Sequence, residues 1–129
     1  MKKAFILLFF SLFTFSSFAQ VKMKFYNKTG YDLDSLIVNN KYIGHISKDS
    51  STSFIVFDDI TLDTGSPIAR LSALMNDMAV ATPVYGRCGT EMNVVTEGVY
   101  ENDIITFDWD NGENSIKGID IRYRWEENK

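Results

Sequence analysis

Cys88 and His45 are the single cysteine and the single histidine of this 129-residue chain, and together they are its one route to thiolate chemistry. A cysteine nucleophile needs its pKa lowered by an imidazolium or a helix N-terminus, and a base within hydrogen-bond reach. The surrounding Gly86-Arg87-Cys88-Gly89-Thr90 matches no cysteine-protease signature. The plainer expectation for Cys88 is a small apolar core residue or, if exposed in an oxidising compartment, an interchain disulfide. One His and one Cys cannot assemble a zinc or copper site of the nitrogen–sulfur type. The sequence contains no Gly-rich phosphate loop, Ser nucleophile elbow or paired-Cys redox motif. The chain therefore reads as non-enzymatic, with no catalytic residue, no metal site and no cofactor expected.

Oxygen chemistry is the other candidate. Asp108-Trp109-Asp110-Asn111-Gly112-Glu113 bunches carboxylates where a hairpin should turn, so Asp108, Asp110 and Glu113 are candidate calcium oxygens and Trp109 a candidate sugar-stacking ring. An EF-hand loop places its Gly sixth and a bidentate Glu last; here Gly112 is fifth from Asp108 and no terminal Glu fits. An Asx-Gly turn accounts for the same residues without a ligand. Tyr26, Tyr31, Tyr42, Tyr85, Tyr100 and Trp125 are further stacking candidates, expected mostly in the core or in cross-strand pairs. Asp58, Asp59 and Asp63 form a second acidic patch that reads as a solvated turn. Asn27-Lys28-Thr29 fits an N-glycosylation acceptor and equally a turn. Carboxylates for glycoside hydrolysis are plentiful, but short turns leave little loop from which to build a cleft.

The elements that must carry these groups are strands. Val21, Met23 and Phe25 alternate with Lys22, Lys24 and Tyr26, a period of two. Tyr31, Leu33, Ser35 and Ile37 then alternate with Asp32, Asp34, Leu36 and Val38, followed by the turn Asn39-Asn40-Lys41. A short strand from Tyr42 to Ile46 contains Gly44, the mark of a bulge or a close approach. Ser53–Phe57 is an apolar run, Met92–Glu97 alternates, and Ile104–Trp109 leads into Asn111-Gly112, the strongest short hairpin signal. In the last run Ile119, Ile121, Tyr123 and Trp125 oppose Asp120, Arg122 and Arg124. Residues 66–84 fit two patterns. Ser66-Pro67 with Ile68, Leu71, Leu74, Met75 and Met78 suits a short helix near 66–78, whereas Ala69, Leu71, Ala73 and Met75 alternate into a turn at Asn76-Asp77. Consistency with the neighbouring strands favours the hairpin. Roughly seven to nine short strands imply an all-β antiparallel sandwich of Greek-key or immunoglobulin-like type. With one Cys, the paired-Cys framework of antibody domains is excluded.

Thirteen basic against seventeen acidic residues leave a net charge of −4, which disfavours a nucleic-acid partner. Lys2-Lys3, an apolar run from Ala4 to Phe18 and the small residues Ser17 and Ala19 have the three-part layout of a secretory signal peptide over 1–19, leaving one domain over 20–129. The run is shorter than the about 20 apolar residues of a membrane span and carries Ser11, Thr14, Ser16 and Ser17, so no transmembrane anchor is expected in the mature chain.

The leader, Asn27-Lys28-Thr29-Gly30-Tyr31-Asp32-Leu33-Asp34-Ser35-Leu36 and Cys88-Gly89-Thr90 together resemble small secreted β-sandwich proteins of Bacteroidota whose function is not established. The resemblance implies an envelope or extracellular location, supports strands over 68–84 and supplies no catalytic residue.

The expectation is thus a secreted or periplasmic interaction or structural module whose partner is another envelope or extracellular protein. The alternative is a glycan- or calcium-binding module using Trp109, Asp108, Asp110 and Glu113. Intact-mass measurement of the exported protein should give a chain that begins at Gln20; a chain still carrying Met1 would end the export reading.

Overall fold

The computed structural model describes residues 20–83, 91–110, 112 and 115–125, the side chains of Trp109 and Ser115 excepted. Its strands are β1 (Val21–Asn27), β2 (Leu33–Val38), β3 (Lys41–Ile46), β4 (Ile55–Phe57), β5 (Ile60–Asp63), β6 (Ser66–Ile68), β7 (Leu71–Met75), β8 (Met78–Ala81), β9 (Met92–Val95), β10 (Gly98–Asp110) and β11 (Ser115–Tyr123). They form three open sheets, ordered β11-β10-β1-β4, β3-β2-β7-β8 and β6-β5-β9. The fold is the expected all-β sandwich, and the described residues contain no helix long and apolar enough to cross a membrane.

Tight turns explain most of the connectivity. Asn39-Asn40, Thr64-Gly65 and Asn76-Asp77 all have positive φ at both residues, and each joins strands paired immediately on either side. These are the backbone signs of the type I′ turn, whose twist matches that of the flanking strands. The short helix near 66–78 does not form. Asn76-Asp77 turns β7 into β8 instead, and Pro67 sits opposite Leu62 in the edge strand β6, where its missing amide is tolerated. The described residues contain eleven strands rather than seven to nine. The excess comes from the Thr64-Gly65 turn and from Asp58-Asp59, where the chain passes from the edge strand β4 to the central strand β5 of the third sheet. Asp110 pairs with Ser115, so the hairpin holding Asn111-Gly112 has a longer connection than two residues.

β1 is the strand that most departs from a plain antiparallel reading. It runs parallel to β10, with Val21 beside Gly98 and Asn27 beside Ile104, and antiparallel to β4. Its apolar side chains Val21, Met23 and Phe25 are fully buried, as their alternation requires. They meet Leu33, Leu36 and Val38 of β2 and Leu71, Ala73 and Met75 of β7 in one core that also holds Ile60, Ile104 and Ile119. Phe25 and Phe57 pack edge to face, with centroids 6.5 Å apart. β11 approaches β8 closely at Gly118, where a Cβ would lie 2.9 Å from the Phe107 ring and 3.2 Å from the Ala81 carbonyl.

β2 breaks its expected alternation. Leu33 is buried, Asp34 and Ser35 are exposed, and Leu36 and Val38 are buried. Ser35 has φ 51°, and the register with β3 shifts between Leu33 and Leu36. One extra residue on β2 therefore resets the phase, so that leucines on nominally opposite faces both point inward.

Two buried asparagines behave oppositely. Asn27 Nδ2 reaches the carbonyls of Tyr31 at 2.7 Å, Ile46 at 3.0 Å and Ser47 at 3.2 Å, while its Oδ1 accepts from the amide and hydroxyl of Thr29. Asn102 is equally buried, and neither of its side-chain polar atoms has a partner. Asn27→Ala orphans several buried groups and should cost about 3 kcal/mol in urea unfolding at unchanged m-value. Asn102→Val removes two unpaired atoms and should instead stabilise by about 1 kcal/mol; destabilisation by it would show that the amide contributes to the fold.

Candidate functional site

The bulge in β2 creates the most chemically organised cluster of the described surface. Two residues, Asp34 and Ser35, face the single His45 between the pairs Leu33–Ile46 and Leu36–Gly44. Asp34 is thereby turned toward the imidazole, with Oδ1 2.5 Å from Nδ1. On the other side, Nε2 lies 3.1 Å from Ser47 Oγ, two residues further along the chain. Carboxylate, imidazole and hydroxyl stand in the order of a serine-hydrolase triad, a constellation that periodicity did not suggest because the bulge is what assembles it. Bulges commonly re-aim a side chain in this way.

The surroundings do not equip this array for acyl transfer. The amide of Lys48 donates to Asp32 Oδ1, that of Asp49 to the Asn27 carbonyl and that of Ser50 to the Ser47 carbonyl. Each backbone donor following Ser47 is thus committed, whereas an oxyanion hole needs donors aimed at the position where charge develops. His45 and Asp34 are both exposed, so the charge pair is screened by water. The array orients a histidine. A groove of about 390 Å³ beside it is lined by Tyr42, Ser50, Ser51 and Ser53.

The Asp34 hydrogen bond holds the His45 pKa above its ordinary value of 6.5; desolvation opposes the shift, and the charges of Asp34 and Asp32 add to it. A raised folded-state pKa gives stability that is complete below 6.5 and disappears as pH rises through the raised value.

The residues singled out for ligand binding are dispersed or already engaged. Asp108 and Asp110 are exposed on β10, and Asp110 Oδ1 accepts the Gly112 amide at 2.8 Å, an Asx turn. The Trp109 side chain, Glu113 and Cys88 lie outside the described residues, as does Tyr85. Among the described residues no three His, Cys, Asp or Glu side chains group as metal ligands. Tyr100, Tyr123 and Trp125 do cluster, but with rings tilted by 57° and 69°, which is core-style packing and not a flat sugar platform. Asn27, the acceptor of the glycosylation pattern, is buried with its amide bonded inward.

Strand edges supply a different candidate. β1 lies inside its sheet and presents no edge, and Lys22 and Lys24 project from its outer face. At the true edges, β4 has its Val56 carbonyl bonded by Lys41 Nζ, β6 contains Pro67, β3 carries the bulge partner Gly44, and β11 bears Lys117, Asp120 and Arg122. All are recognised means of discouraging strand addition. β8 is uncharged, but β11 stands against it at Ala81.

β9 has none of these protections among the described residues. Its sequence Met92-Asn93-Val94-Val95 has no charge and no proline, and its one sheet neighbour is β5. Thr64 donates to the Glu91 carbonyl at 2.9 Å, which makes Glu91, Asn93 and Val95 the residues whose main chain faces β5. Met92 and Val94 consequently turn their amides and carbonyls away from β5, to the side on which no described strand pairs with β9. Their side chains are also 50% and 66% exposed. The signal in sequence is the run of uncharged residues between Glu91 and Glu97, which carries meaning only once β9 is known to be an edge.

The stability difference between the native protein and His45→Gln should be greatest near about pH 5.5 and shrink above neutrality, as thermal melts across pH would show. Comparison with family models, with curated proteins and with solved structures finds no match.

Proposed function

We propose that this chain is an exported, non-enzymatic interaction module of the cell envelope or exterior, and that it engages another protein by accepting an extended segment at the β9 edge. The observation that carries this reading is the open β9 edge itself, with main-chain groups of Met92 and Val94 unpaired by β5 and their apolar side chains exposed. An added strand satisfies those amides and carbonyls while alternate side chains of the incoming segment cover Met92 and Val94. That is a means of recognition that needs no deep cleft, in keeping with a fold whose turns are short. The signal-peptide layout of residues 1–19 supplies the location.

The register provides an unusually clean test. Val94→Pro removes an amide that faces the open edge, so unfolding free energy should change by less than about 1 kcal/mol while partner capture is lost. Asn93→Pro removes an amide that faces β5 and should destabilise by about 3 kcal/mol. Capture is read by photo-crosslinking from position 92, with and without the Val94→Pro change, in cells that produce the protein, followed by mass spectrometry. A reproducible adduct that vanishes in Val94→Pro supports strand addition; recovery of monomer alone from the unaltered protein counts against it.

A further inference from the structure

The open edge is bracketed by charge of one sign. Glu91 precedes β9 and Glu97 follows it, both exposed, and no cation is paired with either among the described residues. Asp58 and Asp59 extend this acidity. Both are exposed, and both line a groove of about 720 Å³ that Met92 also lines. The register places that groove on the face of β5 and β9 carrying Thr61, Met92 and Val94. A strand added to β9 would project every second side chain over this face.

The described arginines lie elsewhere or across the groove. Arg122 and Arg124 are committed to Asp103 at 3.3 and 2.6 Å, and Lys41 Nζ is bonded to the Val56 carbonyl. Lys41 and Arg70 line the groove together with Asp58 and Asp59.

Resting on the strand-addition reading above, we infer that the β9 edge selects an extended protein segment in which Lys or Arg residues flank alternating apolar residues. The apolar positions meet Met92 and Val94, and the flanking cations meet Glu91 and Glu97 at the two ends and Asp58 and Asp59 along the groove. Complementary charge raises the rate of encounter and sets register, and like charge rejects other segments. An anionic segment would meet Glu91 and Glu97 at the two ends of the strand and Asp58 and Asp59 beside Lys41 and Arg70 along the groove.

The probes are capped peptides with a Val-Thr-Val-Thr centre, one ended by Lys residues and one by Glu residues, with a proline-interrupted version as a control. Binding to the full mature chain is followed by amide NMR shifts of Met92 and Val94. The Lys-ended peptide should bind about tenfold more tightly than the Glu-ended one at low salt, with the ratio collapsing near 1 M salt. Glu91→Gln with Glu97→Gln should reduce that ratio several-fold while leaving the melting temperature in place.

Equal binding of both charged peptides overturns the charge selection and leaves strand addition standing. Absence of any shift at Met92 and Val94 with every peptide overturns strand addition as well. Concentration-dependent dimerisation abolished by Val94→Pro would install a second copy of this acidic chain as the occupant, and the cationic segment would be excluded.

Discussion

The buried amide of Asn27 is the constraint on which the remaining geometry depends. Its side chain bonds the carbonyls of Tyr31, Ile46 and Ser47 and holds Thr29, while its main chain exchanges bonds with Ser50 and Asp49. The end of β1, the start of β2 and the end of β3 thus converge on one residue. The next amide, Lys28, donates to Ile104 of β10, which ties the same point to the neighbouring strand of its own sheet. A buried amide with every group satisfied specifies an arrangement, because displacing any one strand orphans a polar atom in a low-dielectric interior. The glycosylation pattern at Asn27-Lys28-Thr29 is thereby explained as architecture.

Anchoring the ends of β2 and β3 leaves their middle to absorb the mismatch between a regular ladder and the demands of the core. Leu33 and Leu36 both point inward, which a strand of period two forbids unless one residue is added. Ser35 is that residue, in a left-handed conformation. The same irregularity points Asp34 at His45, and a second register shift, between Leu36 and Ile37, puts an extra residue on the edge strand β3. The defect on β2 therefore supports core packing and charge placement together. Asn102 shows the contrary case, a buried polar side chain that the core accommodates without satisfying it.

Three short open sheets present many edges, and the chain treats them unequally. A lysine caps β4, a proline interrupts β6, charges line β11 and a bulge deforms β3, whereas β9 has no described strand beyond it and leaves Met92 and Val94 exposed. Exposed uncharged edges carry an aggregation hazard, and the β9 edge is where the proposed contact would form. Glu91 and Glu97 on either side would give that proposed contact a sign.

The periodicity of β1 and β11 was legible because a strand with one buried face must alternate, and Asn39-Asn40 and Asn76-Asp77 were legible because asparagine and aspartate tolerate positive φ. The all-β class followed from these local signals. The Ser66-Pro67 pattern misled in the direction of a helix, since capping residues and edge-strand residues overlap in type. Thr64-Gly65 passed unnoticed because threonine rarely occupies that turn. What local pattern could not contain was any fact about non-local pairing: the parallel ladder of β1 with β10, the bulge that joins Asp34 to His45, and the identity of the edges. Composition and alternation state which face of a strand is apolar, and they do so residue by residue. Whether a run such as Met92–Val95 ends up inside a sheet or at its rim depends on which distant segments take the neighbouring positions, and that competition is settled by the packing of the whole core.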